Sequence, residues 1–137
     1  MGYGSYSYEA HDKITSSRAT SSNAEIFQQQ GIHPLMNPFG VRVRESRDSA
    51  EHPNSVPIVF ALDVTGSMGQ IPVQLAKQEL PKFMKTLLDV GVTDPQVLFM
   101  FVGDAAHDKG PLQVGQFEST AEDMDRWLTW AWLAGVS

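Results

Sequence analysis

The chain has 137 residues, 42% of them apolar, which is enough to bury a core and too apolar for a disordered segment. A net charge of −6, from 16 acidic and 10 basic side chains with no dense Lys/Arg stripe, argues against a nucleic-acid backbone as partner. The absence of cysteine excludes disulfides, thiolate zinc sites and cysteine nucleophiles, and fits a reducing compartment.

Residues 1–54 read as an irregular N-terminal extension with short helices. Met1-Gly2-Tyr3-Gly4-Ser5-Tyr6 holds no apolar h-region, so no signal peptide is expected. Tyr8–Arg18 is a helix candidate, followed by the Ser/Thr-rich connection 16–22. Asn23 is placed to cap a short helix over Ala24–Gln30, with Gly31 ending it. His33–Gly40 is rich in turn residues but carries Leu35, Met36 and Phe39, an arm whose apolar residues are expected to dock. Val41–Arg44 alternates as a short exposed strand would. Pro53, at the end of the polar stretch Arg47–Asn54, puts a domain boundary near residue 54.

Residues 55–137 have a different rhythm. Pro57–Leu62 is a continuous apolar run, as in a strand buried on both faces. A helix is predicted from Met68 to Asp89, with Ile71, Leu75, Leu80, Phe83, Met84, Leu87 and Leu88 on one face. Pro72 is tolerable in its first turn, whereas Pro81 must kink or split it. Gln96–Gly103 is a second apolar strand, and the strand–helix–strand order predicts a βαβ unit. Leu112–Gly115 reads as a short strand, and Ser119-Thr120-Ala121-Glu122 as a capping box opening a helix over Thr120–Leu133. The apolar run Trp127–Val136 is too short to span a bilayer, so no membrane association and a cytoplasmic location are expected.

The first core strand ends in Asp63-Val64-Thr65-Gly66-Ser67, three oxygen-bearing side chains at alternate positions in a glycine-containing turn. Such a turn suits two roles: Asp, Thr and Ser all cap helices, and their oxygens suit a hard cation such as Mg²⁺, which takes about six oxygen ligands near 2.1 Å. With its flanking strands and helix, the stretch resembles the metal-ion-dependent adhesion site of von Willebrand factor A (VWA) domains. The family pattern is Asp-x-Ser-x-Ser, with Thr65 here at the first hydroxyl position. The resemblance implies an α/β fold with a three-layer, open, mostly parallel, Rossmann-like sheet. It implies Mg²⁺ (or Mn²⁺ or Ca²⁺) at Asp63, Thr65 and Ser67, and a protein partner whose carboxylate completes the metal shell. Asp104, at the end of the second core strand, is the candidate outer-shell carboxylate.

The family adds a threonine loop after its second helix and an aspartate at the end of a further strand. Both lie beyond Ser137 in this pattern, so the resemblance implies a partial domain, incomplete at its C-terminus, a weakly held metal and an open sheet edge prone to self-association. A truncated fragment without independent activity is the alternative reading. An enzyme is not expected. Asp63-x-Thr65 lacks the second aspartate that haloacid dehalogenase-like phosphatases need, and neither a Gly-Lys-Ser/Thr phosphate loop nor a Gly-x-Ser-x-Gly elbow occurs.

Overall fold

A computed structural model describes residues 4–65, 70–103 and 111–133. Its centre is a three-stranded mixed sheet in the order β1-β2-β3, formed by β1 (Ser55–Asp63), β2 (Asp94–Val102) and β3 (Leu112–Val114). β1 and β2 run parallel, from the Ser55–Asp94 pair to the Asp63–Val102 pair. β3 returns antiparallel, pairing Met100 with Val114 and Val102 with Leu112. The connection 103–111 is too short for a crossover, so the sheet is mixed where a mostly parallel one was expected.

β2 is the central strand and is almost wholly buried, as its unbroken apolar run requires. β1 departs from expectation. Among the described residues it is an edge strand whose side chains alternate: Ile58, Phe60 and Leu62 turn toward the core, while Val59 is 50% exposed. The signal for this was Pro57. The Val64 N–H donates to the Val102 carbonyl (3.0 Å), so even-numbered residues of this strand direct their N–H groups to β2 and odd-numbered ones point outward. Pro57 therefore falls where a missing N–H costs no ladder bond, the position a proline can occupy in a strand.

The helices share one core with the inner face of the sheet. Between β1 and β2 the predicted single helix is three pieces: α3 (Gln70–Gln74), a π-helical turn (Leu75–Glu79) and α4 (Leu80–Asp89). Pro81 sits in the first turn of α4, and the Leu80 N–H reaches back five residues to the Leu75 carbonyl. A proline ring would collide with the carbonyl four residues earlier in a regular helix, and a wide turn gives it room. The buried stripe is Val73, Ala76, Leu80 and Met84; Ile71 and Phe83, assigned to that face, are partly exposed because the π turn shifts the helical phase. Phe83 still packs edge-on against Phe60 (5.2 Å), which stacks on Phe99.

α5 (Ala121–Thr129) buries Met124, Trp127 and Leu128, as the periodicity predicts. Its cap is Thr120, whose hydroxyl accepts from the Asp123 N–H (3.2 Å), one residue later than the expected box. The helix stops short of Leu133 because Gln113, fully buried on β3, takes the Trp132 backbone at both ends: its Oε1 accepts from the Trp132 N–H (2.8 Å) and its Nε2 donates to the Trp132 carbonyl (3.0 Å).

In the N-terminal segment, α1 (Tyr8–Ser16) packs on α4, the π turn and α5. α2 (Asn23–Ile26) is shorter than predicted and is opened by a full capping box between Ser22 and Glu25. Ile26, Phe27 and Met36 enter the main core, but Leu35 and Phe39 do not dock, and Phe39 is 93% exposed. Val41–Arg44 forms no strand; Arg44 instead donates from Nε to the Gly115 carbonyl (2.8 Å).

Candidate functional site

The end of β1 is positioned by Val64. Its side chain is buried and its N–H extends the ladder to Val102, so Asp63 and Thr65 are fixed on either side of an anchored residue. Asp63 is exposed, on the same outward sheet face as its register partner Val102. Asp63 Oδ1 accepts two bonds from Thr65, one from the backbone N–H (2.7 Å) and one from the hydroxyl (2.5 Å). These bonds, the hydroxyl's first and the backbone's second, hold the Asp63 carboxyl below its ordinary range. The carboxylate is ionised at neutral pH and oriented by its own loop.

This arrangement fits a hard cation. A Thr65 hydroxyl that donates its proton to Asp63 keeps its lone pairs for another partner, and an ionised carboxylate is the preferred ligand of Mg²⁺. Asp63 and Thr65 are brought together by these two bonds. Ser67 and Asp104 lie outside the described residues. Among the described residues, no group of three or more His, Asp or Glu side chains converges on a point.

Sequence reasoning missed several interior polar residues. His11 is fully buried with its Nδ1 2.6 Å from the Tyr6 hydroxyl. His52 is buried with Nε2 2.6 Å from the Gly4 carbonyl oxygen and Nδ1 3.3 Å from Asp94 Oδ1. His33 stacks on Trp130 at 3.8 Å. Arg18 forms a two-pronged pair with Asp125, both bonds 2.5 Å, and donates to the Ala76 carbonyl (3.3 Å). None of these carries a local signal, because most of the partners are far apart in sequence.

Among the described residues no helix is long and apolar enough to cross a membrane. Compared with protein-family models, with curated proteins and with solved structures, the chain matches none.

Proposed function

We propose that this chain is a VWA-type protein-binding module that uses a divalent cation, Mg²⁺ or a similar ion, at the end of β1, and that it has no bond-making chemistry. The observation that carries this reading is the pair of bonds from Thr65 to one oxygen of Asp63, which leaves an oriented, ionised, exposed carboxylate beside a hydroxyl with lone pairs to give. Asp63 and Thr65 would hold the ion together with Ser67, the third position of the motif. A bound cation would supply an open coordination position that attracts a carboxylate of a protein partner. On this reading Asp104 would serve as an outer-shell carboxylate, and the outward face of β1 and β2 is where a second helical layer of a three-layer sheet would lie. A cytoplasmic location suits a chain without cysteine.

The test is thermal stability against Mg²⁺ or Mn²⁺ concentration. A ligand that binds only the native state at about ten times its Kd adds roughly 1.4 kcal/mol, which for a chain of this size raises Tm by about 5 °C. Wild type is expected to show that rise, and Asp63→Ala none. A wild type whose Tm ignores both ions across the millimolar range removes the metal from the proposal.

A further inference from the structure

We propose that α1 is an acid-released brace: it stays docked on α4, the π turn and α5 while His11 is neutral, and protonation of that buried ring unseats it before the sheet opens. His11 and Thr15 are the residues that α1 buries fully. The His11 ring is enclosed, met edge-on by Tyr6 at 5.6 Å. A Tyr6 hydroxyl that donates to Nδ1 leaves the proton on Nε2, and Nε2 has no hydrogen-bond partner among the described residues. A second proton would put a charge in this enclosure and make Nδ1 a donor, so the Tyr6 hydroxyl would have to turn round.

The charged neighbours do not rescue that charge. From α5, Asp125 and Glu122 favour it, but Asp125 is already held by both prongs of Arg18, whose own charge opposes it. The π turn offers the Ala76 carbonyl, which Arg18 also takes. From α4, Lys85 lies over the Tyr8 ring at 5.9 Å. Burial outweighs the acids and lowers the His11 pKa from its ordinary 6.5 to about 4. The docked state therefore refuses a proton that the undocked helix accepts. Docking is at full strength above pH 6.5 and weakens as pH falls from there toward 4. His11 packs in the helical layer, and β1, β2 and β3 contain no histidine of their own; the ring that meets the sheet is His52, at Asp94 where β2 begins (3.3 Å).

Hydrogen exchange of the full chain, followed by mass spectrometry at pH 7 and pH 5 and corrected for intrinsic rates, tests the proposal. The opening equilibrium of residues 8–16 is expected to rise about twentyfold between these pH values, from the two proton affinities above. Peptides covering Asp94–Val102 should change far less. Parallel loss in both regions, or no change in residues 8–16, overturns the brace. The double variant His11→Leu/Tyr6→Phe should keep residues 8–16 equally protected at both pH values; a persistent acid response overturns it as well. If that variant fails to fold, the wild-type His11 ring decides by NMR. A ring still neutral at pH 5.5 supports the proposal, and one that titrates near 6.5 ends it.

Discussion

At the residue scale, Thr65 does two jobs through two groups. Its N–H would bond to Asp63 whatever its side chain, but only a hydroxyl supplies the second bond and, on the proposed function, a lone pair for a cation. Thr65→Ser should therefore keep the cation-induced rise in Tm, and Thr65→Val, similar in shape but with no oxygen, should lose most of it. The metal-free stability of Thr65→Val should move by less than about 1 kcal/mol, because the lost bond is solvent-exposed. Thermal melts with and without Mg²⁺ check both. The Asp63 carboxyl sits below its ordinary range, so its charge persists as the pH falls through the values where free carboxylates protonate. Its contribution is present above the unfolded-state value and is lost only as pH drops through the lower native one. A cation bound by Asp63 should accordingly lose less affinity between pH 7 and pH 3.5 than the roughly threefold loss of a carboxylate at its ordinary value, which a Mn²⁺ titration at the two pH values would show.

At the element scale, the helical layer is tied together by Arg18 and Asp125, which join the segment after α1 to α5 across 107 positions of sequence. Both side chains are largely buried, so removing one strands the other without its partner. Arg18→Ala should cost about 3 kcal/mol in denaturant unfolding, and Arg18→Leu combined with Asp125→Leu should recover most of that loss. This pair illustrates what the sequence hides. Strands β1 and β2, the α5 stripe and the break at Pro81 were all readable, since each rests on local hydrophobic period or on proline's missing N–H. The Asp63–Thr65 contact is equally local, spanning two residues, and the motif that contains it is legible in the sequence for that reason. Arg18, His11 and His52 were not, because their roles come from burial between distant elements, and nothing within a few residues of a buried histidine distinguishes it from a solvated one. The length of α5 failed likewise: Gln113, on another element, takes the backbone that would have continued the helix.

At the scale of the whole molecule, the two faces of the sheet are unequal. The inner face carries the helices and the main core, while Leu98, Met100, Leu112, Val114 and Phe117 form only a small cluster on the outer face. β1 lies at the margin of that cluster, where Val59 and Val102 are each about half exposed. The outward edge of β1 offers the N–H groups of Val59, Ala61 and Asp63, and Pro57 interrupts the row at its start. Such an edge, flanked by apolar side chains and uncharged except at Asp63, is where copies of the chain would pair despite a net charge of −6 on each. Proline blunts one end of the edge, and among the described residues no strand pairs with the other. Val59→Lys places a charge in the middle of that stretch while removing little buried surface, so its cost to folding should stay within about 0.5 kcal/mol. Sedimentation velocity over a hundredfold concentration range should then show wild type associating and the lysine variant monomeric, with both melting cooperatively at similar temperatures. Equal association of the two would move the contact away from β1. A variant that melts far below wild type would mean that the half-exposed Val59 contributes more to the core than its exposure implies.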